Sequence, residues 1–175
     1  MVQIVYLLLA AVLVGIDQMT KLWAAEHLED AGRVLEVIPG VFELRYSENT
    51  GVAFSLLEGQ RWLFIPLTVI TSLLIAIVLF RSPLRRRFVF SFSCSLILAG
   101  GIGNLIDRVA YGYVIDFLYV KLIDFPIFNF ADCCVVVGAI LLFAYLIFGL
   151  TGEEDTPLRT LLLGIPVKAK ESGNG

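Results

Sequence analysis

From Trp62 to Phe80 the chain carries no charged residue, and three other stretches are nearly as apolar. They run over about 4–25, 88–106 and 131–150. A hydrocarbon layer ~30 Å thick is crossed by a helix of ~20 residues. Inside lipid every backbone N–H and C=O must be satisfied by the segment itself, which leaves helices as the form for isolated apolar runs of this length. The expected fold is therefore an all-α membrane protein of four transmembrane helices. Composition agrees: 58% of the 175 residues are hydrophobic, against about 45–50% for soluble domains, and mean hydropathy is +0.87. The length suits one compact bundle over residues 1–152, followed by a mixed-charge tail, 153–175, expected to be mobile.

The first stretch lacks the basic start and the small-residue cleavage site of a signal peptide, so it reads as a span. Orientation comes from Arg81, Arg85, Arg86 and Arg87, which crowd the turn between the second and third spans. Basic loops stay in the cytoplasm. With four spans, both termini are then cytoplasmic, and the two long polar regions, 26–61 and 107–129, lie on the outer face. Val41 to Tyr46 alternates apolar and polar residues, the pattern of a short surface strand.

Several chemistries are excluded early. A net charge of −3 with no basic, aromatic-studded stripe argues against nucleic acid. Cys94, Cys133 and Cys134 form no Cys-x-x-Cys pair, and His27 is the one histidine. A metal or haem site is not expected, the cysteines read as small buried hydrophobes, and no cofactor is implied. His27 reads as a surface residue at a helix end.

The polar residues are concentrated. Asp17 and Lys21 are four apart near the outer end of the first span and share a helix face. They fit either a snorkelling interfacial pair beside Trp23 or part of a site. Asn49-Thr50-Gly51 fits a turn or a loop that approaches an extended peptide. Gly100-Gly101-Ile102-Gly103 gives the third span a thin side for close helix approach. Asn104 and Arg108 then share one face, next to Asp107, with which Arg108 is expected to pair. Val114-Ile115-Asp116-Phe117 and Phe128-Asn129-Phe130-Ala131-Asp132 complete the set. Asn129 and Asp132 also fit a helix N-cap and a first-turn acid.

Followed along the expected topology, every one of these clusters emerges at the outer membrane face. A charge within a bilayer costs at least ~2.5 kcal/mol at the helix centre, so it is kept where it has a partner or a task. Asp116 and Asp132 are the expected working pair. Two carboxyls held close do not both ionise readily, and one shared proton makes the pair an acid and a base together. That chemistry activates water against an amide without a metal. Asn49, Asn104 and Asn129 are candidates for holding the substrate backbone or the aspartates.

At these residues the chain resembles the lipoprotein signal peptidase (signal peptidase II) family. The resemblance rests on Asp17-Gln18-x-x-Lys21, Asn49-x-Gly51-x-Ala53-Phe54-Ser55, Gly100-Gly101-x-Gly103-Asn104-x-x-Asp107-Arg108 with Val114-x-Asp116-Phe117, and Phe128-Asn129-x-Ala131-Asp132. It implies a bacterial inner-membrane aspartic endopeptidase with a small extracytoplasmic β-cradle and a short interfacial helix. The implied substrate is a prolipoprotein already carrying diacylglyceryl, cleaved just before the lipidated cysteine. Asp116 and Asp132 match the catalytic dyad; Asp17, Lys21, Asn49, Gly51, Asn104, Asp107, Arg108 and Asn129 match supporting residues. A bundle of this size is expected to work as a monomer among membrane lipids.

Two other readings compete. An intramembrane protease of the Gly-x-Gly-Asp class needs an acid where Asn104 follows Gly103. A non-enzymatic transporter or channel subunit with a polar outer vestibule needs charges near span midpoints, where the sequence has almost none.

Overall fold

The structure is a computed structural model that describes residues 2–29, 33–51, 61–81 and 88–149. Four helices dominate: α1 (Val2–Leu28), α2 (Arg61–Arg81), α3 (Phe88–Ala110) and α4 (Phe130–Ala144), the last continued by a π-helical turn, Tyr145–Gly149. Strands β1 (Val34–Ile38), β2 (Phe42–Asn49) and β3 (Val114–Tyr119) form one antiparallel sheet in the order β1-β2-β3. Among the described residues, three helical segments (Gln3–Leu28, Phe88–Ala110 and Phe130–Phe148) are long and apolar enough to cross a membrane, and Ile65–Arg81 is a shorter apolar helix. The one further short helix among the described elements is a 3-10 turn, Lys121–Ile123, after β3, with Leu122 and Ile123 exposed, and residues 52–60, 82–87 and 150–175 lie outside the described residues. The arginine-rich turn and the tail fall there.

The bundle is built around α3. It is the most buried of the four helices, and its inward face is small: Ser91, Ser93, Ser95, Ala99, Gly100 and Gly103. Lipid tails are as apolar as leucine, so apolar surface alone does not hold helices together in a membrane; close backbone approach and polar contacts do. The glycines show that approach. A Cβ on Gly100 would run into the Ala131 carbonyl and come within 2.6 Å of Val135 Cγ2. On α4, a Cβ at Gly138 would lie 2.8 Å from Ile97 Cγ1 and 2.9 Å from the Ser93 carbonyl oxygen. The expected thin side of α3 is thus present, and α4 answers it with a glycine of its own. Gly101 points the other way, to Ser72 and Thr68 of α2. Large apolar side chains such as Leu8, Val12, Ile70, Leu73, Ile140 and Phe143 are exposed on the outer surfaces of α1, α2 and α4, the inverse of a soluble protein.

The sheet covers one end of the bundle. Ala24 and Leu28 at the end of α1 form a buried cluster with Phe117 of β3, flanked by Leu44, Tyr46 and Leu118. On its far side β3 is held by Phe128: Phe117 and Leu118 donate to its carbonyl, and its own N–H donates back to Leu118. β3 is therefore clamped between β2 and the residues that lead into α4. The expected strand over Val41–Tyr46 is real but longer. β1 and β3 were not legible as strands, because Val34-Leu35-Glu36-Val37-Ile38 and Val114-Ile115-Asp116-Phe117 lack the strict alternation that marks a half-buried strand. In β3 the reason is visible: Val114 through Phe117 are all buried.

Candidate active site

Helix α4 begins with a capping box. Asn129 is extended, its Oδ1 accepts from the Asp132 N–H at 2.9 Å, and its own N–H donates to Asp132 Oδ2 at 3.1 Å. The N-cap reading of Asn129 and Asp132 is correct as local structure. The same asparagine has a second set of contacts. Its Nδ2 donates to Asp116 Oδ1 at 2.7 Å and to Asn104 Oδ1 at 3.0 Å, with a longer approach to the Ile115 carbonyl at 3.3 Å. One residue therefore binds both aspartates, and the fold brings Asp116 and Asp132 to the two sides of Asn129.

Asp116 reaches this point through the sheet. It pairs with Ser47 across β2–β3, two positions from the Asn49–Val114 pair. That register lets Asn49 Nδ2 donate to Asp116 Oδ2 at 2.9 Å. The Asn49 Oδ1 accepts from Gly51 N–H at 2.9 Å, and Gly51 has φ of +106°, a conformation that glycine adopts readily. Asn49 is thus both a turn residue and a ligand of Asp116. Residues 52–55 of the same motif lie outside the described residues.

Asp132 is held from α3. Asn104 Nδ2 donates to Asp132 Oδ1 at 2.8 Å. The Asn104 Oδ1 accepts both from Asn129 and from Lys21 Nζ, the latter at 2.8 Å. Two donors on the oxygen and a carboxylate on the nitrogen fix which way this amide faces.

Behind the aspartates lies a buried ionic core. Lys21 is 1% exposed, and its three N–H donors reach Asp17 Oδ2 at 2.9 Å, Asp107 Oδ2 at 2.8 Å and Asn104. Asp17 Oδ1 accepts from the Ala131 N–H at 2.9 Å, and so joins α1 to the first turn of α4. Asp107 Oδ2 also accepts from Ile115 N–H at 3.1 Å, and so joins α3 to β3. The snorkelling alternative for Asp17 and Lys21 is corrected: burial of both makes them part of the interior. Asp107 takes a close ion pair from Lys21, and Arg108 also interacts with it electrostatically. Arg108 Nη1 donates to the Asn104 carbonyl at 3.2 Å and interacts electrostatically with Asp132, Asp116 and Asp107.

Gln18, quoted above in the Asp17-Gln18-x-x-Lys21 motif without a role, gains one here. Its Nε2 donates to Asp107 Oδ1 at 2.9 Å, to the Gly103 carbonyl at 3.2 Å and to Asp17 Oδ2 at 3.3 Å. An amide beside an acid in an apolar helix is the signal that marks it.

Asp116 is 2% exposed. Burial pushes its pKa up to about 7; the Asn49 hydrogen bond opposes this, the Asp132 charge adds to it, and Asn129 and Lys21 oppose it. A carboxyl in that range exchanges a proton near neutrality, which suits acid–base work. Among the described residues, no group of three or more His, Cys, Asp or Glu side chains is arranged to hold a metal ion. Cys94 and Cys134 are buried and Cys133 is half-buried, all as free thiols. His27 is half-exposed, stacked on Trp23, with Nδ1 2.9 Å from the Trp23 carbonyl.

The sequence model of the family described as signal peptidase (SPase) II matches residues 9–148. The chain belongs to the signal peptidase II family. The match spans every polar residue of the constellation just described. Among its relatives, the lipoprotein signal peptidase of Enterococcus faecalis is 44% identical over 144 residues, covering 82% of this chain and 88% of that protein. That of Lactiplantibacillus plantarum is 40% identical over 136 residues, covering 78% and 89%. Two solved bacterial membrane enzymes share the fold. One has a TM-score of 0.75 at 33% identity, covering 82% of this chain and 93% of its own; the other has 0.73 at 29%, covering 95% and 94%. As a signal peptidase II this protein is a peptidase of a bacterial membrane.

Proposed function

We propose that this signal peptidase II removes the signal peptide from diacylglyceryl-modified prolipoproteins, cleaving just before the lipidated cysteine, with Asp116 and Asp132 as a metal-free acid–base dyad. The observation that carries the reading is Asn129, whose side chain and backbone bind both carboxyls at the sheet-covered end of an apolar bundle. One aspartate takes a proton from water, the water attacks the scissile carbonyl, and the other aspartate supplies a proton. Asn49, Asn104 and Asn129 orient the two acids. Lys21, Asp17 and Asp107 tie α1, α3, α4 and β3 into one frame, and Arg108 adds positive charge beside the pair. Gly51 gives the Asn49 turn its shape.

In this reading the apolar run of α2 makes a fourth span. The arginine-rich turn and both termini face the cytoplasm of a bacterium, and the site opens at the outer face of its inner membrane. There water and a lipidated cysteine reach it together. A monomer contains the whole site.

The test is cleavage of a lipidated prolipoprotein by purified enzyme in detergent or membranes. Asp116→Asn and Asp132→Asn are each expected to abolish cleavage while the protein still inserts and folds; a near wild-type rate in either rejects the dyad. A chelator is expected to leave the rate unchanged, and a loss restored by added metal rejects the metal-free step.

A further inference from the structure

Where α1 ends beside the sheet, a cavity of about 380 Å³ opens between the helix and β1. Trp23, His27 and Leu28 line it from α1, and Arg33, Val34 and Leu35 line it from the start of β1. Trp23 and His27 are one turn apart and stack, their ring centroids 5.1 Å apart and their planes 18° from parallel, so they make a flat aromatic wall. Leu28 is buried in the cluster with Phe117 and ties that wall to β3. None of these side chains belongs to the aspartate site.

The cavity lies at the end of an outward-facing apolar stripe. On α1, Val12, Ile16, Met19 and Trp23 follow one another at intervals of four, three and four, and so share one face. They are 60%, 40%, 72% and 39% exposed. From Val12 to Trp23 the helix rises roughly 16 Å, about half of a hydrocarbon layer ~30 Å thick, which is the depth of one leaflet. Tryptophan is at home at the level of lipid headgroups. The polar lining has its own chemistry. Arg33 is permanently charged and meets a phosphate with a planar fork of donors; among the described residues it makes no ion pair or hydrogen bond. A carbonyl only accepts, so His27 Nδ1, 2.9 Å from the Trp23 carbonyl, carries the proton of that contact. Nε2 is left for a ligand, as an acceptor in the neutral ring and a donor in the imidazolium. A hydroxyl answers either form. Glu26 Oε2 stands 4.0 Å from Nδ1 and is not among the residues lining the cavity.

We infer that this cavity holds the headgroup of an anionic phospholipid bearing a hydroxyl, such as phosphatidylglycerol: its phosphate sits on Arg33, its hydroxyl on His27 Nε2, and an acyl chain lies along the α1 stripe. The site is separate from the dyad, and the inference does not depend on the dyad reading. A choline headgroup fits it less well, because it brings a second cation towards Arg33 and has no hydroxyl for His27. A seated lipid touches both α1 and β1 and braces the helix against the sheet, so it stabilises the fold by binding the folded state alone.

The experiment uses the full-length enzyme, stripped of lipid in detergent, and three probes with the same acyl chains: phosphatidylglycerol, phosphatidylethanol (equally charged, without the hydroxyl) and phosphatidylcholine. Native mass spectrometry reads the bound lipid, and thermal unfolding reads the stabilisation it confers. Phosphatidylglycerol is expected to bind most tightly and to raise the unfolding temperature. Arg33→Ala is expected to weaken its binding about tenfold, the worth of one charge-assisted hydrogen bond, and to unfold as wild type when no lipid is added. Arg45→Ala removes an exposed cation from β2, outside the cavity, and is expected to bind as wild type. No loss in Arg33→Ala, or an equal loss in both variants, means unspecific attraction to the lipid belt and overturns the site. His27→Phe keeps the aromatic wall and is expected to erase the preference for phosphatidylglycerol over phosphatidylethanol; a preference that survives overturns the hydroxyl contact. Displacement of the bound lipid by millimolar glycerol phosphate makes the cavity a site for a soluble anion and overturns the lipid assignment.

Discussion

Gly103 of α3 stands directly against Asp17 of α1: a Cβ placed on the glycine would lie 2.5 Å from the Asp17 Oδ2 oxygen. The missing side chain is what lets a buried carboxylate lie on the third helix, accept from Ala131 N–H and still reach Lys21. Gly103→Ala is therefore expected to push that carboxylate off its partners. Overpacking of this kind costs about 1–3 kcal/mol, and cleavage should fall with it. Thermal unfolding in detergent, read beside Gly15→Ala, checks the claim. A Cβ at Gly15 has nothing within 4 Å, so equal effects at the two positions would contradict it.

Lys21 neutralises two buried acids, Asp17 and Asp107. Lys21→Met leaves Asp17 and Asp107 buried without their cation, a loss on the order of 3–5 kcal/mol. Adding Asp107→Asn to Lys21→Met is expected to restore part of that loss, because one of the stranded charges is removed. The pair should therefore show a coupling of about 1 kcal/mol or more in a double-mutant cycle. Strict additivity would mean that the contact carries no energy of its own.

Burial holds a proton on Asp116 up to about pH 7, which suits it to supply the proton in the proposed step, so the rate should fall as pH rises through that value. Asn49 hydrogen-bonds Asp116 and favours its ionised form. Asn49→Ala is thus expected to move this basic limb to higher pH while lowering the rate overall. A pH profile of kcat/KM decides it, and a limb that moves down refutes the proposed role of Asn49.

Asp116 also lowers stability. Its folded pKa of about 7 exceeds the reference 3.8, so between those values the unfolded chain releases the proton first. Stability is lost as pH rises across that window, by up to about 4 kcal/mol. Asp116→Asn removes the charge and gives up one amide contact worth about 1 kcal/mol. The variant should be more stable than wild type at pH 8, by roughly 3 kcal/mol, and close to it at pH 4. Denaturation at both pH values is the measurement, and a gain at pH 4 alone would reverse the sign.

Much of the arrangement could be anticipated from spacing. Apolar runs of nearly twenty residues mark the helices, Gly100 and Gly103 mark the thin face of α3, and Asn129 followed by Asp132 marks the start of α4. Each of these is a local property, set by residues within one or two turns. The strands around Glu36 and Asp116 were not anticipated, because strand character comes from what covers each face, and Val114 to Phe117 are covered on both. The contacts of Gln18 were hidden for a similar reason, since its partners Gly103 and Asp107 lie 85 and 89 positions away.

The chain by itself determined that apolar helices form, that their few charges are concentrated, and which family they belong to, because hydropathy and motif spacing are written along one dimension. Pairing was left to the tertiary structure. Lys21 is committed to Asp107 rather than to the bilayer rim, and Asn129 serves two acids at once, because burial removes water as a competing partner and leaves each polar group only those that the folded bundle brings within about 3 Å.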